Sequence, residues 1–361
     1  MDTVGDPSIT FESDGTCNYC NYALARMNSV YFPNEEGQRK LQETIDRLKT
    51  DGRNRKYDCV MGISGGLDSA YLAYLGSTKW GLRILGVHID DGFDSPIAAQ
   101  NIHNLSKYCN FELVTVTPNK EQFMDLTRSF FFAGVPGICI PQDNVLIAEL
   151  FHIADTHQIK YFLSGTNFAL ESILQRGNMH NASDIVHIKS IHKKFGNLPI
   201  DKLPLLSLFD RYIKYKYFKG QCYIRPLDWI EYIKERAISE LADVGFDYYE
   251  GKHYESILTR FLQVYYMPKK FNIDIRKSHI SSLIISGQIT RDQALLEMQK
   301  PLYDESKMES DIKFILENLK ISRNEFNEIM AATPKQHSDY ESSWLTKYNH
   351  VAIKYRRFLS D

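Results

Sequence analysis

Six residues, Ser64-Gly65-Gly66-Leu67-Asp68-Ser69, combine the types that phosphate chemistry uses: hydroxyls, residues without side chains and a carboxylate. They follow the apolar run "YDCVMGI", Tyr57 to Ile63, so the segment reads as a strand end, a turn and the first turn of a helix. At such a turn, unpaired backbone N–H groups and the positive end of the helix dipole converge. Gly65 and Gly66 would let an anion reach the main chain, and Ser64 and Ser69 would add hydroxyl donors. The Gly-Lys-Ser/Thr ending of a Walker loop is missing. Asp68 sets a carboxylate beside the anion instead, which calls for a bridging Mg²⁺ held by Asp68. A plain glycine turn, with Asp68 serving only the helix dipole, is the simpler alternative.

The elements that must hold this turn follow from pattern. Residues 37 to 50 form an amphipathic helix with Leu41, Ile45 and Leu48 on one face. From Tyr57, strands "YDCVMGI", "LRILGVHI", "FELVTVT" and "KYFLSG" alternate with helices starting at Asp68 and spanning about 96–108, 119–131 and 143–157. Continuous apolar strands, each followed by a helix, imply an α/β fold with a doubly wound, mainly parallel sheet. Ligands in such sheets bind beyond the carboxyl ends of the strands, where the glycines and carboxylates here fall. Beyond residue 176 the chain turns polar and then helical, with capping-box spacing at Thr290/Gln293 and Ser322/Glu325. Three parts are expected: an N-terminal segment 1–35, a nucleotide-binding domain 36–175 and a mostly helical substrate- or partner-binding region 176–361.

Composition narrows the function classes. The balance of 43 basic and 45 acidic residues, net charge -2, gives no general attraction to nucleic acid or anionic membranes. The N-terminus has no basic stretch followed by an apolar core, and "SFFFAGVPGICIP" is too short and broken to span a bilayer. Six sparse cysteines read as reduced thiols. The expectation is a cytoplasmic protein with no nucleic-acid partner and no membrane insertion.

"SGGLDS" after an apolar strand resembles the SGGxDS signature of the N-type ATP pyrophosphatases, the PP-loop superfamily, whose fold is adenine nucleotide alpha hydrolase-like. The resemblance implies that ATP is cleaved to AMP and pyrophosphate, that AMP passes to a carbonyl oxygen, and that a nitrogen or sulfur nucleophile displaces it. Gly62, Ile63, Ser64, Gly65, Gly66, Asp68 and Ser69 would then hold ATP, with Mg²⁺ at Asp68. In "LGVHIDDG", Val87, His88 and Ile89 would lie against the adenine. In "FLSGTNFALES", Gly165, Thr166 and Asn167 would meet the ribose or the adenylated carbonyl, followed by Glu171 as a substrate contact. Plainer readings are a half-buried strand histidine and a simple left-handed turn.

Glu250 to Met298, "EGKHYESILTRFLQVYYMPKKFNIDIRKSHISSLIISGQITRDQALLEM", is similar to the N-acetyl sugar amidotransferases, and that likeness runs over nearly the whole chain. It implies conversion of an acetamido group on a bacterial surface-sugar precursor to an acetamidino group, with ATP and ammonia. Asp68, Ser64, Lys252 and Arg260 would carry catalysis, and His253, Glu255, Gln263 and Glu171 would bind substrate. A helix starting near Tyr254 would put Glu255, Thr259 and Gln263 on one face, although a solvated face with an Arg–Glu pair is the plainer reading. Position 2 is Asp, and the "GICIP" around Cys139 lacks the second glycine of a nucleophile elbow, so no glutaminase is expected in this sequence. The family works with a separate glutaminase and a synthase-like subunit that supply ammonia. A tRNA-modifying, thiolase-like pyrophosphatase is the competing class; the neutral charge and the absence of clustered cysteines near the loop oppose it. Cys17 and Cys20 form half of a four-ligand zinc site whose other CxxC, in similar proteins, precedes the position where this sequence opens; they are candidate Zn²⁺ ligands.

Overall fold

The structure, a computed structural model, describes residues 2, 3, 5, 6, 8–175, 177–249 and 251–346; the last part of the expected helical region, 347–361, lies outside it. Strands β1 (Cys59–Gly62), β2 (Ile84–Ile89), β3 (Glu112–Val116), β4 (Tyr161–Leu163) and β5 (Cys222–Ile224) form one sheet in the order β3-β2-β1-β4-β5. Every neighbouring pair is parallel. The doubly wound α/β fold is therefore present.

Helices α1 (Asn18–Val30), α2 (Glu35–Gly52), α3 (Leu67–Tyr74), α4 (Pro96–Cys109), α5 (Lys120–Ala133) and α6 (Ile140–Thr156) accompany the first four strands. Alternation along β1 explains the layering. Cys59 and Met61 face a core with Leu48 of α2, Leu72 of α3 and Leu105 of α4, whereas Val60 faces Phe151 and Ala154 of α6. With apolar cover on both faces, the central strands carry almost no polar residues.

The expected boundary at 175 needs correction. β5 pairs with β4, and Leu227, Tyr232 and Leu241 belong to the same core as β1 and α2. The sheet is thus completed by residues that follow the polar stretch. Cys222 and Tyr223 are exposed, so this edge strand offers no apolar run to read.

The remaining helices are α7 (Phe168–Glu171), α8 (Ile185–Phe195), α9 (Lys234–Leu241), α10 (Ile257–Phe261), α11 (Met267–Phe271), α12 (Arg276–Ile285), α13 (Arg291–Met298), α14 (Glu305–Leu319) and α15 (Arg323–Ala331). Both expected capping boxes are formed, Thr290 with Gln293 opening α13 and Ser322 with Glu325 opening α15. Phe131 of α5 stacks on Phe261 of α10 with ring centroids 5.9 Å apart, and Ile312 and Ile315 of α14 complete this second core. Each such buried side chain contributes about 1.5–3 kcal/mol by leaving water. Among the described residues, no helix is long and apolar enough to cross a membrane.

Candidate active site

The glycine turn sits at the carboxyl end of β1. Its entry is fixed by Ile63, whose N–H donates to the Val87 carbonyl at 2.8 Å. Gly65 adopts φ +77°, and a Cβ there would lie 2.6 Å from the Ala98 carbonyl oxygen in the first turn of α4. Only glycine meets both conditions without strain. The Ser64 and Ser69 hydroxyls are 3.2 Å apart, and Ser64 Oγ also accepts from the Gly66 N–H at 3.2 Å. α3 begins with Gly66 as its cap and no side chain bonds its first N–H groups, whereas Asn34, Ser95 and Asn119 cap α2, α4 and α5. The open N-terminus beside two hydroxyls is a suitable place for a phosphate. Opposite the turn, the β4 end approaches so closely that a Cβ on Gly165 would meet the Asp68 backbone at 3.0 Å.

Around Asp68 the chain gathers a charged cluster. Tyr232 Oη donates to Asp68 Oδ1, and Lys252 Nζ lies 3.7 Å from Asp68 Oδ2. The same ammonium is 2.9 Å from Glu171 Oε1 and donates to the Leu170 carbonyl at 3.3 Å. His253 stands between Glu171 and Glu255, at 3.8 and 3.6 Å. Glu255 Oε1 accepts from Ser64 Oγ at 3.4 Å, and its Oε2 accepts from Tyr249 Oη at 3.0 Å.

The environment separates these carboxyls. Burial pushes Asp68 above the ordinary carboxylate range; Lys252 pulls it down and Glu171 pushes it up again. Burial also opposes the charge on Glu171, yet Lys252 and His253 hold it below its ordinary value. Glu255 is likewise held low against burial, by His253 and Tyr249. Crowding lowers His253, but Glu255 and Glu171 outweigh it and raise the imidazole. His279, 6.1 Å from His253 between ring centroids, is pushed well down by burial and by the charges of Lys252 and His253. The cluster holds more acid than base, and its hard carboxylate oxygens at Asp68 and Glu255 fit a Mg²⁺ shared with phosphates.

Backbone pairing holds the Lys252–Glu255 loop in place. Asp94, just beyond β2, forms an antiparallel bridge with Ser256; Ser95 N–H donates to the Glu255 carbonyl at 2.7 Å and Ile257 N–H to the Phe93 carbonyl at 2.8 Å. His253 takes a left-handed φ of +63° in this turn.

Several expected site residues are used otherwise. Val87 and Ile89 are buried in the core beneath α6, and both His88 nitrogens are engaged, Nδ1 with the Ile63 carbonyl at 3.0 Å and Nε2 with Asp94 at 2.9 Å. Asn167 is fully buried and caps α7 by accepting from the Leu170 N–H at 2.9 Å, while Thr166 is exposed beside it. Arg260 points away from the cluster and makes a two-pronged pair with Asp311 of α14, at 2.8 and 2.6 Å. Glu255 precedes α10, because Ser256 caps it, and Gln263 lies past its end in a π turn, Leu262–Tyr266. The expected shared face of Glu255 and Gln263 is absent. Cys17 and Cys20 have sulfurs 3.3 Å apart, but among the described residues no third ligand joins them. Burial and Cys17 push the Cys20 thiol up to about 11, which resists formation of a thiolate.

Tyr232, Tyr249 and His279 join the cluster without any sequence motif to announce them. A cavity of about 110 Å³ opens beside it, between α1 and α7, with Tyr19, Tyr22, Arg26, Thr166, Glu171 and Arg225 among its walls. A cleft of about 190 Å³ near Asp58 and Lys160 lies at the amino ends of β1 and β4, the wrong end for a ligand in such a sheet.

The parallel sheet carries the SGGLDS turn at the carboxyl end of its central strand and the Asp68 carboxylate in the following helix, the placement that the resemblance to the PP-loop signature implied. Residues 255–358 match the family described as "LPS biosynthesis protein WbpG-like, C-terminal domain". Among curated proteins it is similar to the uncharacterized protein MJ1599 of Methanocaldococcus jannaschii, 26% identical over 158 residues, 44% of this chain and 53% of that one. It is also similar to a glutamine-hydrolyzing GMP synthase of Pyrobaculum aerophilum, 25% identical over 215 residues, 58% of this chain and 39% of that one. The chain therefore spans about half or less of the length of these relatives. A solved NMN synthetase from Francisella tularensis overlays 70% of this chain and 93% of its own at 15% identity and a TM-score of 0.36.

Proposed function

We propose that this protein is a cytoplasmic, ATP-dependent amidotransferase that converts an acetamido group of a bacterial surface-sugar precursor to an acetamidino group. One observation carries the reading. Glu255, the first residue of the WbpG-like domain, lies 3.4 Å from Ser64 of the glycine loop, joining a surface-polysaccharide domain to a phosphate cradle.

The chemistry follows from what each group can do. The amide oxygen of the acetamido group attacks the α-phosphorus of ATP and pyrophosphate leaves. Ammonia then adds to the activated carbon, AMP departs with the former amide oxygen, and a proton is lost to give the amidine. Ser64, Ser69 and the uncapped N-terminus of α3 would grip the pyrophosphate as its charge grows. Mg²⁺, with Asp68 as its expected ligand, supplies charge neutralisation there when bound. Lys252 would hold Asp68 and Glu171 in register, and the sugar precursor would enter by the cavity beside Glu171, with Arg26 and Arg225 facing its anionic groups. Ammonia is scarce at neutral pH, so a separate glutaminase with a synthase-like subunit would deliver it.

The test is mass spectrometry of acetamido-sugar nucleotides and free acetamido sugars incubated with the protein, ATP, Mg²⁺ and ammonium. The mass change of replacing oxygen by NH, with pyrophosphate and AMP formed, is expected, and Asp68→Asn should abolish it while keeping the fold. Intact ATP and unchanged sugars across the panel would refute the proposal. Pyrophosphate release on tRNA instead would move the protein to the thiolase-like class.

A further inference from the structure

Far from the glycine loop, three histidines from separate parts of the chain meet. His180 precedes α8, His187 lies in its first turn, and His337 comes from a 3₁₀ turn, His337–Asp339, after α15. One imidazole nitrogen from each lies within 4.8 Å of the other two. We propose that this cluster is a binding site for a divalent transition metal of the zinc class, clipping the chain's 337–346 segment to α8.

The second contacts of the rings select the ligating atoms. His180 Nε2 donates to Asp184 Oδ2 at 3.1 Å, which leaves its Nδ1 with a lone pair. His187 Nδ1 faces the Glu341 carbonyl at 3.3 Å; a carbonyl only accepts, so this nitrogen carries the proton and Nε2 carries the lone pair. These are the carboxylate–histidine and carbonyl–histidine supports that orient metal-binding imidazoles. His187 Nε2 and His337 Nδ1 are 3.0 Å apart. A tetrahedral ion about 2.05 Å from each nitrogen wants them about 3.3 Å apart, so this edge is already close to its bound length.

Without a metal, His187 Nε2 and His337 Nδ1 share a hydrogen bond, which an ion between them would replace. His337 is 7% exposed and its Nε2 has no hydrogen-bond partner. Three imidazoles suit zinc, copper or nickel, and they leave a fourth position for water. Asp184 also accepts from the Ser343 N–H at 3.0 Å and from Thr346 Oγ1 at 2.6 Å. One carboxylate thus orients a ligand and anchors the clipped segment.

The experiment uses the full chain carrying Cys17→Ser, Cys20→Ser and Cys222→Ser, which removes the paired thiols and the exposed one and leaves only buried cysteines. After chelator treatment it is titrated with Zn²⁺ and with Co²⁺. One equivalent should bind, Co²⁺ should give tetrahedral visible bands without a sulfur charge-transfer band, and Zn²⁺ should raise the melting temperature. Adding His337→Gln should abolish binding, and adding Asp184→Asn should weaken it about 10–100-fold. No binding, or binding unchanged by His337→Gln, would overturn the site. Should His337→Gln not fold, X-ray absorption of the zinc-loaded protein decides: three imidazoles support the site and fewer refute it.

Discussion

Replacing Lys252 by Met removes the one ammonium that separates Asp68 from Glu171, with distances of 3.7 and 2.9 Å. The three side chains are only 15–18% exposed, so water screens them poorly. Removing one partner of such a pair typically costs about 3–5 kcal/mol. The loss is capped here, because a carboxyl can take up a proton instead. At about 1.36 kcal/mol per pH unit and an ordinary glutamate value of about 4.3, protonation costs about 3.7 kcal/mol at pH 7 and about 1 kcal/mol at pH 5. In the variant the carboxyl's folded value lies above its unfolded one, so destabilisation grows as pH rises past the unfolded value. Urea unfolding of Lys252→Met against the unaltered protein should show a loss of about 3 kcal/mol at pH 7 and about 1 kcal/mol at pH 5. Adding Glu171→Gln should recover most of the loss at pH 7. An equal loss at both pH values, or no recovery in the double variant, would refute the electrostatic reading.

Two further outcomes are expected. His88 faces only acceptors, the Ile63 carbonyl and Asp94; burial lowers its value, but Asp94 outweighs it and the imidazole titrates above its ordinary value. Its stabilising charge is complete below about pH 6.5 and is lost as pH rises through the folded value. An NMR titration should find the midpoint above about 6.5 and lower in Asp94→Asn; a lower midpoint in the unaltered protein would contradict this. For the Arg260–Asp311 pair, Asp311→Ala should cost about 3–5 kcal/mol in urea unfolding, and Arg260→Met with Asp311→Leu should recover most of it. If that double variant folds but no longer releases pyrophosphate, Arg260 regains the catalytic role the sequence suggested.

The parts legible in the sequence are those governed by short-range rules. The first four strands and their helices follow from apolar runs and periodicity, α13 and α15 from their caps, and the glycine turn from six adjacent residues. What escaped depends on pairing across the chain. Tyr232 and Asp68 are 164 residues apart, and nothing near Tyr232 marks its hydroxyl as more than a core tyrosine's. Arg260 was legible as a charge, but its direction depends on Asp311, 51 residues on and in another helix. A shared helical face for Glu255 and Gln263 presumes one regular helix from Tyr254 onward, but the Ser256 cap and the π turn break the spacing on both sides.

The same loop shows why the two halves of the chain cannot be assigned separate tasks. Lys252 and Glu255 reach the glycine turn only because the Asp94–Ser256 bridge fixes their backbone to the loop after β2. Ser256 then caps α10, whose Phe261 is held by Phe131 of α5 and, through Arg260, by α14. A displacement of α10 therefore moves Lys252 relative to Asp68, although the helical core lies away from the glycine turn. Packing changes at Phe131 or Phe261 should disturb the Asp68–Lys252–Glu171 cluster as directly as substitutions in the loop itself.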